Sequence, residues 1–102
     1  MRFLIQATIP SDIANKMVED ADSLKQAEKC IKTFNPEAAY FMEINGEASI
    51  IAVLDIPSAE MIDVVFHQLQ QELGARVQIR PALVLDDLKK AAQIRKQQAL
   101  IR

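Results

Sequence analysis

The chain opens on an alternation of apolar and polar positions. In residues 2–9, RFLIQATI, one face receives Phe3, Ile5, Ala7 and Ile9 and the other Arg2, Leu4, Gln6 and Thr8. This period of two marks a half-buried strand. Pro10 ends it, and Ser11 is placed to cap the helix that follows. The period then lengthens. Ile13, Met17, Ala21, Leu24, Ala27, Ile31 and Phe34 recur at helical steps, which predicts one buried stripe. Asp20-Ala21-Asp22-Ser23 is a poor helix interior, because Asp and Ser side chains compete for backbone groups. A break is expected there, with Asp22 or Ser23 capping a second helical piece. Asn35-Pro36 closes the segment.

Residues 38–45, AAYFMEIN, and 47–55, EASIIAVLD, read as two strands around Gly46. Asn-Gly is a strong hairpin signal, since both residues tolerate positive φ. The second of these strands is apolar on both faces and belongs inside a sheet. Pro57-Ser58 introduces a helix with Ser58 as N-cap and Glu60 in its first turn. Ile62, Val65, Phe66, Leu69 and Leu73 form its buried stripe, and Gly74 stops it. Residues 75–84 predict a fourth strand with Ala75, Val77 and Ile79 on one face and Arg76, Gln78 and Arg80 on the other. Asp86 or Asp87 then caps a last helix running to about Ala99.

The order β-α-β-β-α-β-α predicts an α+β fold: a ferredoxin-like β-α-β-β-α-β domain over residues 1–102 with an additional C-terminal helix. Its four-stranded antiparallel sheet carries both main helices on one face, because the crossovers are right-handed. The other face lies open. Parity gives it Arg2, Leu4, Gln6 and Thr8 from the first strand and Arg76, Gln78 and Arg80 from the fourth. The second strand adds either Tyr40, Met42 and Ile44 or Phe41 and Glu43. Such a face would expose on the order of several hundred Å² of partly apolar surface, more than a monomer usually carries. Pairing two copies about a two-fold axis buries it. A homodimer is therefore expected, with the last helix packing over the sheet edge or onto the second copy.

Half of the residues are hydrophobic and a quarter charged, the balance of a folded domain. A net charge of -2 argues against general nucleic-acid affinity. Charge is uneven, however: from Asp86 onward the chain carries about +3, with Lys89, Lys90, Arg95, Lys96 and Arg102 against two acids. This basic tail is either a solvated face or a contact for an acidic surface. The apolar runs are strand-sized, well short of the roughly 20 residues that span a bilayer. The start of the chain does not read as a signal peptide. With one cysteine, Cys30, an internal disulfide and a multi-cysteine metal site are both excluded, and a cytoplasmic location is expected.

Candidate chemistry is sparse. His67, the one histidine, falls about 140° around its helix from Ile62 and so near the exposed side, with no second imidazole for a metal. Cys30 reads as a small buried side chain. No glycine-rich phosphate loop, H-E-x-x-H or C-x-x-C occurs, and no cofactor or metal is expected. The most suggestive pattern is Arg76, Gln78 and Arg80 on one strand face, where two guanidinium groups can take a carboxylate or phosphate. The alternative is that they protect an edge strand, or pair with Glu43. With Gln6 and Tyr40 these three make the candidate ligand set. Tyr40 and Glu43, three apart on a strand, cannot share a face without a bulge.

The topology, the stretch Pro36-Glu37-Ala38-Ala39-Tyr40-Phe41, the hairpin and the ending Arg80-Pro81-Ala82-Leu83-Val84-Leu85-Asp86-Asp87-Leu88 resemble small bacterial members of the dimeric α+β-barrel superfamily. That group includes muconolactone-isomerase-like enzymes, cofactor-free monooxygenases, haem-degrading enzymes and amino-acid-sensing modules. The resemblance implies fold rather than function. The leading expectation is a homodimeric module holding a small anionic or amphipathic molecule between its sheets. A cofactor-independent isomerase or monooxygenase, and a structural interaction domain, are the alternatives.

Overall fold

Alternation in the sequence becomes two chemically different sheet faces. The computed structural model describes residues 1–101; Arg102, counted above in the basic tail, lies outside the described residues. The strands are β1 (Arg2–Thr8), β2 (Ala38–Ile44), β3 (Glu47–Asp55) and β4 (Arg76–Pro81). The helices are α1 (Ser11–Glu19), α2 (Ala21–Thr33), α3 (Ala59–Leu73) and α4 (Leu85–Ile101). The sheet order is β2-β3-β1-β4 with every neighbouring pair antiparallel, the ferredoxin-like arrangement. As the two-sided apolar pattern predicts, β3 is interior, and β2 and β4 are the edges.

Phe3, Ile5 and Ala7 of β1 oppose Leu54, Ala52 and Ile50 of β3, and all six are buried beneath the helices. Val65, Leu69 and Leu73 of α3 and Ala27 and Cys30 of α2 complete this core. Burial of a side chain such as Leu69 contributes about 1.5–3 kcal/mol, so this one layer dominates stability.

The expected helix break is present, but its cap differs. Asp20, rather than Asp22 or Ser23, is the α2 N-cap: its carboxylate accepts bonds from the Asp22 amide and the Ser23 hydroxyl, each at 3.0 Å. At α1 the cap position is Pro10, and Ser11 is the first helical residue. Ser58 does occupy the α3 N-cap position, in extended backbone and without a side-chain cap bond. Asn45 and Gly46 both take positive φ in the hairpin, as their turn requires. β4 stops at Pro81, three residues before the expected end: the Ala82 amide still donates to the Arg2 carbonyl at 2.9 Å, and β1 offers no strand residue beyond Arg2. The Val84 amide instead donates to Asp87 at 3.2 Å, and α4 begins at Leu85.

α4 stands apart. Seventeen residues give it a length of about 25 Å. The chain's radius of gyration is 17.0 Å and its extents are 59 × 28 × 19 Å. A compact chain of this length has a radius near 13 Å. At most slight contact joins α4 to any other element, and Leu85, Leu88 and Ile94 are exposed on it. No described helix is long and apolar enough to cross a membrane.

Candidate functional site

The register fixes the parity that composition leaves open. Tyr40 of β2 opposes Ile51 of β3, which opposes Gln6 of β1, which opposes Gln78 of β4. These four form one cross-strand row on the open face. With strands about 4.8 Å apart, the row is roughly 14 Å long. The next row runs Ala38, Val53, Leu4, Arg80, and the row on its other side runs Met42, Ser49, Thr8, Arg76. All five candidate ligand residues therefore share the open face. Glu43 lies on the opposite face, opposite Ala48, so neither a Tyr40–Glu43 acid–base pair nor an arginine–Glu43 pair forms there.

Ion pairs bracket this surface. At one end Arg76 Nη2 lies 3.3 Å from Glu47 Oε1, and Thr8 and Ser49 beside it are buried. At the other end Arg2 Nε donates to both carboxylate oxygens of Glu37, at 3.1 and 3.0 Å. The Met1 amine binds Asp55 at 2.8 Å and, with help from Arg2, holds that carboxyl below the ordinary range. Every carboxylate of the face is thus ion-paired at its margins. Arg80 differs: its Nη2 donates to Gln78 Oε1 at 2.7 Å, and among the described residues it makes no ion pair. Between the two ends lies an apolar floor of Leu4, Ile51, Val53 and Ala38, with Arg80 and Gln78 on one flank and the 61 % exposed Tyr40 on the other.

The other candidates lie elsewhere. His67 is on the outer side of α3, 3.3 Å from Asp63 one turn away. Cys30 is buried in the helix layer; burial, together with a hydrogen bond and like charge from Glu72, pushes its thiol up to about 12. At ordinary pH it is a protonated, unreactive thiol. Among the described residues no group of three or more His, Cys, Asp or Glu side chains could hold a metal ion.

One large concavity was not foreseen from the sequence. It is an apolar groove of about 980 Å³ on the helix side of the β2 edge, formed chiefly by Met17, Val18, Leu24, Ile31 and Phe41. Two signals carry it: Val18 stands outside the buried stripe of α1, and β2 is apolar at Phe41 as well as at Tyr40.

No family model matches the chain, and no curated protein matches it in sequence. Solved structures do match its fold. The 5-chloro-2-hydroxyhydroquinone dehydrochlorinase TftG of Burkholderia phenoliruptrix, solved with 2,5-dihydroxybenzoquinone, superimposes with a TM-score of 0.52 at 12% identity. That match covers 81% of this chain and 94% of the other. Protein Atu4242 of Agrobacterium tumefaciens matches with a TM-score of 0.42 at 15% identity over 83% of this chain and 96% of its own. At the level of fold the chain is an α+β protein with the ferredoxin-like four-stranded sheet.

Proposed function

We propose that the protein is a homodimeric small-molecule-binding module whose open sheet faces stack about a two-fold axis, holding an anionic, ring-sized ligand between them. The observation that carries this reading is the Tyr40–Ile51–Gln6–Gln78 row with Arg80 beside it. It offers an anion-binding guanidinium without a carboxylate partner, neutral hydrogen-bonding groups and an apolar floor. A flat face in one chain becomes a closed cavity when a second copy covers it, and closure dries the site and strengthens the Arg80 interaction. The fold neighbour's 2,5-dihydroxybenzoquinone is a ligand of this general kind, planar and acidic.

A catalytic reading finds less support on this face. Glu37, Glu47 and Asp55 are ion-paired, and His67 and Cys30 lie elsewhere, so among the described residues the Tyr40 phenol is, apart from Arg80, the one acid–base side chain beside the floor without a charged partner.

Calorimetric titration with 2,5-dihydroxybenzoquinone and with benzoate tests the reading. Wild-type protein is expected to bind at least one of them. Arg80→Ala is expected to lower that affinity about ten- to a hundredfold, the usual range for a hydrogen bond to a charged group, while remaining dimeric. Binding unchanged by Arg80→Ala would refute the site.

A further inference from the structure

Among the described residues two apolar surfaces have no partner within the chain. One is the groove at the β2 edge, where Val18 is 82 % and Phe41 56 % exposed. The other is a stripe on α4. Asp87, Lys90, Ala91 and Ile94 of that helix line a basin at the foot of the sheet with Arg2 and Asp55. Leu85, Leu88, Ala92 and Ala99 are centred roughly 130° around the helix from that side, so this stripe turns away from its own domain. Helices in folded proteins owe most of their stability to packing of one face rather than to propensity.

Size and charge match the two surfaces. A helix about 10 Å wide occupies roughly 400 Å³ per turn, so the groove takes on the order of two turns, the span from Leu85 to Ala92. Basic residues flank the stripe, Arg95 on one side and Lys89 and Lys96 on the other. Across α1, Asp20, α2 and β2, which form the groove margin, six acids stand against four lysines, and at the groove itself Glu28 and Lys32 pair at 3.7 Å. Opposite charge at such a rim steers and registers a contact.

We infer that α4 of one copy lies in the groove of a second copy, each chain giving an arm and receiving one. The inference rests on the sheet-to-sheet dimer proposed above. In that dimer β4 of one copy can lie beside β2 of the other, since these are the two edge strands. The arm follows β4 directly and so starts next to the groove it fills.

Cross-linking between differently tagged chains tests the arrangement. One carries Val18→Cys at the groove and the other Leu88→Cys on the arm; buried Cys30 stays silent toward a maleimide. After the chains have been mixed and re-equilibrated, a short bismaleimide is expected to give a product containing one chain of each kind, as the main cross-linked species. Adding Phe41→Glu to the groove chain should reduce that product at least tenfold. A dimer without the mixed product would overturn the arm and leave the sheet pairing standing. A predominant Leu88–Leu88 product would mean that arms pair with each other and would also overturn it. A wild-type monomer would remove both readings.

Discussion

Arg76 and Arg80 sit four residues apart on one face of one strand, yet the fold uses them differently. Arg76 meets Glu47 across the sheet end, whereas Arg80 meets a neutral amide. Exposed ion pairs contribute little, on the order of 0–1 kcal/mol. Arg76→Ala should therefore leave stability within about 1 kcal/mol and ligand affinity within about fivefold of wild type, in contrast to Arg80→Ala. A titration of both variants beside each other checks this. That the two arginines share a face was legible from alternation alone. That one is paired was not, because Glu47 is 29 residues away in sequence and its position depends on the hairpin register. Cys30 gives a second prediction. Its folded thiol is raised from 9.0 to about 12, so stability is intact below about pH 9 and falls as pH climbs toward 12, where only the unfolded chain ionises. At pH 8 a thiol reagent is expected to react quickly with denatured protein and at least a hundredfold more slowly with native protein. Fast native labelling would contradict the burial of this side chain.

Helix ends show how far local chemistry decides an element. The break between α1 and α2 follows from the Asp-Ala-Asp-Ser stretch, whose side chains favour caps over helix interior. The capping residue falls two positions earlier than Asp22, because Asp20 is the one whose backbone is extended, at φ -123° and ψ 116°. Asp22 and Ser23 are its donors. Asp20→Ala should cost about 1 kcal/mol, visible as a lower denaturant midpoint with an unchanged slope. Gly74 is held more tightly. It has φ +60°, and a Cβ there would lie 2.9 Å from Ile13 Cδ1. Gly74→Ala combines the left-handed penalty of about 1 kcal/mol with displacement of a packed isoleucine, so thermal unfolding should show a loss larger than that of the Asp20 variant. Glycine as a helix stop was readable from sequence. The Ile13 approach was not, since it joins α1 to the end of α3 through tertiary packing.

At the scale of the molecule, the period-2 and period-3.6 patterns were enough for strand order and for an uncovered face, because each strand with a clear parity exposes its polar side there. The side presented by β2 was undetermined, since Tyr40-Phe41-Met42 is apolar on both sides; pairing of Tyr40 with Ile51 decides it. The β2-edge groove was invisible for the same reason. What remains uncovered in the single chain is mechanically specific. Val53 is half-buried near the middle of the open face, between Ala38 and Leu4, and contributes nothing to the helix-side core. An aspartate at this position should cost about 1 kcal/mol through strand propensity, too little to unfold a domain with its main core intact. Across a two-fold sheet pair, however, its carboxylate would be buried unpaired in an apolar floor, a far larger penalty. Val53→Asp is therefore expected to sediment as a folded monomer at concentrations where the proposed wild-type dimer forms, with an unchanged far-ultraviolet spectrum. Because the proposed cavity needs two faces, the variant should also lose binding of the aromatic probes even though Arg80 is untouched. If it stays dimeric and still binds, the second copy sits on another surface and the open face is not the cavity wall.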